Sequence, residues 1–264
     1  MSALAYAMTD SSTMLRRQLR HMIRYPSLTV MLVGMPIVFL LLFVYVFGGT
    51  LGAGLGGASG GRSDYLEYVV PGILLMTVAG GAQGTAISVA MDMTEGIIAR
   101  FRTMAISRAS ILVGHVVGSL FQTMLSSVLV LAVAVLIGFR PSASPLGWIA
   151  AMGLLALTTF AVTWLSVAFG LVSDSVETAS NIPMFLMLLP FLGSGFVPTA
   201  SMPTGIRWFA EYQPFTPIME TLRGLLMGTP IGNSGPLAVA WCVVIAVLGF
   251  LWSVRLYERN PRTK

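Results

Sequence analysis

The placement of charge constrains this chain more than any other feature. Six stretches contain no Asp, Glu, Lys or Arg: residues 25–61, 68–91, 109–139, 141–173, 178–206 and 224–254. Each exceeds the ~18–20 apolar residues that a helix needs to cross a bilayer. The longest has 37 residues, too few for two spans and a turn. The reading is an all-α integral membrane protein with six transmembrane helices, near 28–47, 69–91, 112–137, 147–171, 180–197 and 236–254. Composition agrees: 56% of the residues are hydrophobic and 9% are charged, where a soluble domain carries about 25% charged residues.

An even number of spans puts both termini on one side, and Lys and Arg choose that side. Arg16, Arg17, Arg20, Arg24, Arg100, Arg102, Arg108, Arg255, Arg259, Arg262 and Lys264 fall on the side of the termini, against Arg62, Arg140, Arg207 and Arg223 on the other. The majority side is expected to be cytoplasmic. A net charge of +5 suits anionic inner-leaflet lipid rather than nucleic acid. The first apolar run is too long for a signal-peptide core and reads as an uncleaved span. Cys242 is the single cysteine, so no disulfide forms within the chain. Fourteen Arg against one Lys suggests a GC-rich bacterial genome and a bacterial plasma membrane.

The chain reads as one membrane domain over 1–264. In 13–26, "TMLRRQLRHMIRYP", Leu15, Leu19, Met22 and Ile23 share one helical face, while Arg16, Arg20 and Arg24 share another. That pattern predicts an amphipathic helix on the membrane surface, ended by Pro26; a plain basic flank of the first span would need only the charges. The run "GGTLGAGLGGASGG" (48–61) formally contains G-x-G-x-x-G. It lacks the strand before it and the helix after it that dinucleotide binding requires, and reads as a flexible outer connector.

Residues 92–111 interrupt the apolar pattern. Asp92 and Glu95 precede Arg100 and Arg102, an order that complements a helix dipole, and the two acids stand three apart, as in a variant capping box. Ile97, Ile98, Phe101 and Met104 recur at helical spacing. The expectation is a short cytoplasmic helix with one apolar side, and Gly96 within it suggests a close backbone contact. On the other side, 202–228, "MPTGIRWFAEYQPFTPIMETLRGLLMG", has two helix-like halves. Arg207 and Glu211 stand four apart, Glu220 and Arg223 three apart, and Pro214 and Pro217 break the middle. This predicts an outer re-entrant helix pair between spans five and six.

Several chemistries are missing. A P-loop needs a lysine after its glycines, and the only lysine is Lys264. His21 and His115 lie far apart without a zinc pattern, and no acid is obviously placed beside His115, which reads as a polar residue at a helix end. No span carries a charge in its central part, which argues against an ion-coupled carrier, although carbonyls can also hold Na⁺. Neither an energy source nor a catalytic group is evident, so no enzyme is expected. The charged segment is then a place where force from a partner could enter, or a solvated loop that obeys the positive-inside rule.

Three stretches resemble the membrane subunits of ABC-2 type ABC transporters, specifically the daunorubicin-resistance-like permeases of bacteria. They are "YLEYVVPGILLM" (65–76), "DMTEGIIARFRTMAISRASILVG" (92–114) and "FVPTASMPTGIRWFAEYQPFTPIMETLRGLLMG" (196–228). The third is long and the most specific, and the resemblance extends over nearly the whole chain. Ala105 departs from the Pro that relatives commonly carry before "SR", which bears on where the helix ends.

The resemblance implies two ABC ATPase subunits on separate chains, carrying ATP and Mg, and a second permease chain, identical or homologous. It makes 92–111 the coupling helix, with Asp92, Glu95, Gly96, Arg100, Phe101 and Arg102 at the ATPase, and makes the surface helix, with Arg16, Arg17, Leu19 and Arg20, a second contact. No cofactor is expected on this chain. Spans one, two and five would line the path. Phe39, Phe43 and Phe47 share a face of the first span, and Met184, Leu188 and Phe191 a face of the fifth; Gln83 is the polar group beside "AGGAQG" in the second. A hydrophobic or amphipathic cargo would follow, a drug, antibiotic or lipid moved outward. The alternative reading is a stand-alone ion-coupled carrier.

Overall fold

The computed structural model describes residues 26–56, 61–95 and 108–259. Every regular element among them is helical. α1 (Pro26–Leu41) runs through a π-helical turn (Leu42–Phe47) into α2 (Gly48–Gly56). Then follow α3 (Arg62–Thr94), α4 (Arg108–Leu136), α5 (Pro145–Val172), α6 (Val176–Asn181) and α7 (Met184–Leu188). After a short 3-10 turn (Thr199–Ser201) come α8 (Thr204–Tyr212), α9 (Phe215–Met227) and α10 (Ser234–Arg259). Five helices are long and apolar enough to cross a membrane: Val30–Leu55, Arg62–Thr94, Leu112–Leu136, Pro145–Val172 and Ser234–Tyr257.

α3 and α5 are the most buried of the five and form the centre, while α1 and α10 lie at the rim. Helix ends follow from local chemistry. Ser144 Oγ accepts from the Gly147 N–H at 3.1 Å, ahead of Pro145 at the first turn of α5, where its missing N–H costs nothing. At the other end of α9, Gly228 adopts φ +65° and lets Thr229 N–H reach the Gly224 carbonyl at 3.0 Å, the left-handed stop that glycine favours.

Three expectations change. First, the predicted fifth span, 180–197, is not one helix. α6 and α7 are separated at Ile182–Pro183, and irregular turns run from Leu189 to Phe196. Pro183 and Pro190 lack the N–H that would continue the ladder. Second, most of the supposed connector is helical: 48–56 form α2. Its glycines permit contact, since a Cβ on Gly52 would fall 2.1 Å from the Gly61 carbonyl oxygen. Third, Asp92 does not open a separate helix. It lies within the last turn of α3, and Glu95 is that helix's C-cap. Pro26 is the first described residue and lies in α1. The rest of the predicted surface helix, with Arg16, Arg17, Leu19 and Arg20, lies outside the described residues, as do Gly96, Arg100, Phe101 and Arg102.

The residues of the predicted pair form two helices, α8 and α9. Pro214 makes the break, whereas Pro217 sits inside the first turn of α9, where a proline is tolerated. The two predicted charge pairs part ways. Arg207 Nε meets Glu211 Oε1 at 2.7 Å, but Arg223 turns inward and Glu220 accepts from Ser234 Oγ at 2.9 Å.

Candidate functional site

Two regions carry the polar and aromatic chemistry. The first surrounds the interrupted segment 182–197. Irregular backbone inside a membrane must have its carbonyls satisfied by protein or water. Here three side chains do so. Gln213 Nε2 donates to the Leu189 carbonyl at 2.8 Å, Arg223 Nη2 to the Ser194 carbonyl at 2.7 Å, and Tyr65 Oη to the Phe196 carbonyl at 3.2 Å.

Arg223 also binds α3. Its Nε and Nη2 donate to the Tyr68 carbonyl at 3.3 and 3.1 Å, and its guanidinium carbon lies 3.9 Å from the centre of the Tyr68 ring. Burial pulls the Arg223 pKa down, while Tyr68 and Glu220 oppose that shift; a guanidinium stays protonated in either case. Beneath this clamp two glycines meet, because a Cβ on Gly72 would fall 2.7 Å from the Gly195 carbonyl oxygen. The motifs around Pro71–Gly72 and 196–228 are therefore two faces of one contact.

The same segment carries an aromatic cluster. Phe191 and Phe196 stack at 4.3 Å with 5° between their planes. Phe43, in the π-helical turn, lies 4.6 Å from Phe196 and 6.2 Å from Phe191. Phe39 meets Phe191 at 5.9 Å, and Phe47 meets Phe43 at 5.7 Å. So the structure gathers Phe39, Phe43, Phe47 and Phe191 of the sequence reading. It leaves out Met184 and Leu188, which are 55% and 50% exposed on the open face of α7. Gln83 is engaged elsewhere, its Nε2 donating to the Ser180 carbonyl of α6 at 2.8 Å.

Phe196 was missed by the sequence reading. It lies beyond the predicted helix spacing, on the far side of "GSG", and only the break brings it back onto Phe191. A cavity of about 220 Å³ adjoins it, lined by residues that include Leu51, Leu55, Tyr65 and Val197.

The second region lies at the opposite ends of α3 and α4. His115 Nε2 and Asp92 Oδ2 stand 3.1 Å apart, with side chains 6% and 9% exposed. The sequence offered no acid for His115, because the partner is 23 residues away on another helix. A small core of Val89, Leu112, Val116, Trp164, Val167, Leu171 and Tyr257 lies at this end of α3 and α4. Among the described residues no group of His, Cys, Asp and Glu could hold a metal ion.

Residues 9–227 match the ABC-2 type transporter family. The chain is 28% identical over 262 residues to the daunorubicin resistance ABC transporter permease protein DrrB1 of Streptomyces coeruleorubidus, covering 98% of this chain and 89% of that one. It is 26% identical over 189 residues to the probable doxorubicin resistance ABC transporter permease protein DrrC of Mycobacterium tuberculosis, covering 68% of this chain and 66% of that one. Over 208 residues it is 24% identical to ABC transporter G family member 20 of Dictyostelium discoideum, covering 76% of this chain and 28% of that one.

Proposed function

We propose that this chain, which belongs to the ABC-2 type transporter family, is the non-catalytic permease subunit of an ATP-driven exporter in a bacterial plasma membrane. Its cargo is hydrophobic or amphipathic, a drug, an antibiotic or a lipid. Two ABC ATPase subunits on separate chains bind ATP and Mg, and a second permease chain, identical or homologous, completes the path. The majority-basic end, with Asp92 and His115, faces the cytoplasm. The interrupted segment through α6 and α7 supplies the sixth crossing.

The observation that carries this reading is the family match over 9–227, together with its relatives named for drug resistance. The physical chemistry supports it. In the described spans, Arg62, Asp64, Glu67, Asp92, Arg108, His115 and Arg255 lie near helix ends, where charge is tolerated, and none lies in mid-span where ion-coupled carriers place functional groups. The freed carbonyls at Leu189, Ser194 and Phe196 accept from protein donors. One of those donors is a guanidinium, which repels a cation.

In this mechanism ATP draws the two ATPase subunits together. The movement enters through the coupling segment, where Glu95, Arg100 and Arg102 pair with charges on the ATPase and Phe101 fills an apolar pocket. Arg16, Arg17, Leu19 and Arg20 form the second contact. The aromatic cluster around Phe43 offers ring edges and faces to cargo, contacts worth ~0.5–1.5 kcal/mol each beyond simple burial. The π-helical turn bearing Phe43 and the broken segment bearing Phe191 and Phe196 face one another, so two departures from ideal helix geometry meet at the expected path. Such turns recur at functional sites.

The test is assembly with the ATPase. The variant Glu95→Ala/Arg100→Ala/Phe101→Ala is expected to lose co-purification with the ATPase and ATP-driven export. Retention of both would remove the coupling role.

A further inference from the structure

α3 and α4 lead into and out of the coupling segment, 92–111, and two polar contacts and one close packing contact join them. At the ends nearest the segment, Asp92 Oδ2 meets His115 Nε2 at 3.1 Å. About two turns deeper on α3, Thr85 Oγ1 donates to Ser119 Oγ at 2.6 Å. One turn deeper again, Thr123 packs on Gly81, where an added Cβ would clash with its side chain; this is a close approach and not a hydrogen bond, since Thr123 Oγ1 has no hydrogen-bond partner among the described residues. The partners step down α3 from 92 to 85 to 81 and up α4 from 115 to 119 to 123, as two antiparallel helices require.

The outermost rung differs in kind from the other two. It joins an acid to an imidazole, both buried, and leaving either group without its partner inside the bundle costs more than losing an exposed contact. It also stands nearest the coupling segment, at the last turn of α3 and the second turn of α4. Trp164, Val167 and Leu171 of α5 and Tyr257 of α10 belong to the same buried cluster as Val89, Leu112 and Val116. The pair is itself buried, on the same turns of α3 and α4 that carry members of this four-helix cluster.

We infer that Asp92 and His115 are positioning residues that lock the two stems of the coupling segment together, so that a displacement of that segment reaches α3 and α4 as one body. This rests on the coupling reading of 92–111. It assigns Asp92 a role different from the one its neighbours have, since its carboxylate faces His115 inside the bundle, while Glu95 is exposed. A hinge between the stems would let them spread and dissipate the movement. A buried carboxyl–imidazole contact opposes spreading at the point where the lever begins.

The experiment uses the permease assembled with its ATPase in lipid nanodiscs and in proteoliposomes. Spin labels at Met91 and Val117, both exposed, report the separation of the stems. In the parent protein the distance distribution is expected to stay narrow with and without ATP. In His115→Leu it is expected to broaden, and cargo exported per ATP hydrolysed to fall by about tenfold, with the ATPase still bound. The exchange Asp92→His/His115→Asp restores the contact with reversed partners, and is expected to recover the narrow distribution and most of the export.

A narrow distribution in His115→Leu, unchanged export per ATP, or an exchange variant as defective as the single variant would overturn the inference. So would loss of the ATPase from His115→Leu that the exchange does not repair. The coupling reading fails separately, if the triple alanine variant at Glu95, Arg100 and Phe101 keeps the ATPase and its export.

Discussion

The guanidinium of Arg223 lies against Tyr68, 3.9 Å from the ring centre and 3.1 Å from the main-chain oxygen. A cation from the outer helix pair is thus fixed to the central helix through a face and a carbonyl at once. The same Nη2 reaches the Ser194 carbonyl, so one side chain ties together α3, α9 and the interrupted segment. Lysine offers a single mobile point charge and does not reproduce this geometry. Arg223→Lys is expected to lower stability by ~1–3 kcal/mol, read as earlier thermal unfolding of the purified chain. Unfolding at the parent temperature would count against the clamp.

Gly72 is expected to resist any side chain, because its Cβ would press on backbone at Gly195, which cannot swing aside as a flexible side chain can. Gly72→Ala should destabilise by ~1–3 kcal/mol through overpacking. Gly84 lies on the same helix with nothing within 4 Å of its added Cβ. Gly84→Ala should stabilise by up to ~1 kcal/mol, the helix preference for alanine. Opposite signs in one thermal-shift experiment verify the contact.

Removing Gln213's amide strands the Leu189 carbonyl in the bundle. Gln213→Leu keeps most of the volume and is expected to cost ~1–3 kcal/mol for the unsatisfied group. Proteolysis should then begin in 189–197, where the backbone has lost its partner. Cleavage confined to other segments would contradict the assigned role.

For the aromatic cluster, Phe43→Leu retains an apolar side chain of similar bulk and removes the ring contacts with Phe191 and Phe196. Export of an aromatic drug is expected to fall several-fold, in line with a ring pair worth ~0.5–1.5 kcal/mol. Met184→Leu, outside the cluster, should leave export near the parent rate. Equal effects from the two would remove the distinction.

α8 exposes Ile206, Trp208, Phe209 and Tyr212, and Trp208 and Tyr212 pair at 5.5 Å. Trp and Tyr collect where a membrane meets water. In vesicles with bromine-labelled acyl chains, quenching of tryptophan emission is expected to weaken when Trp208 is changed to Phe. An unchanged quenching profile would place α8 away from the interface.

Much of this architecture was legible in the spacing of charges. Five of the six uncharged stretches hold long helices, because a segment that avoids ionisable groups over ~20 residues has few alternatives in lipid. The stretch holding the fifth expected span misled for the same reason. Absence of charge says nothing of where prolines and a Gly-Ser-Gly turn open the backbone, or of which distant donors close it again. The two helices α8 and α9 and the break between them were readable from Pro214 and its flanking amphipathic halves. The inward turn of Arg223 was not, since its partners Tyr68 and Ser194 are 155 and 29 residues away. The pairing of Asp92 with His115 escaped notice for a related reason: helical periodicity ranks neighbours along one helix and is blind to contacts across two. The glycine-rich run 48–61 was read as slack because glycine is permissive in isolation. In the fold one of them, Gly52, is where the backbone of α2 meets that of Gly61, just ahead of α3.

The central claim is that this chain conducts cargo only when a separate ATPase drives it. Proteoliposomes holding the permease, with or without its ATPase, would be loaded with a fluorescent hydrophobic drug and followed during ATP addition and during an imposed proton or sodium gradient. Drug movement that requires both the ATPase and hydrolysable ATP, and ignores the gradients, is the predicted result. Movement by the permease alone along an ion gradient would contradict it.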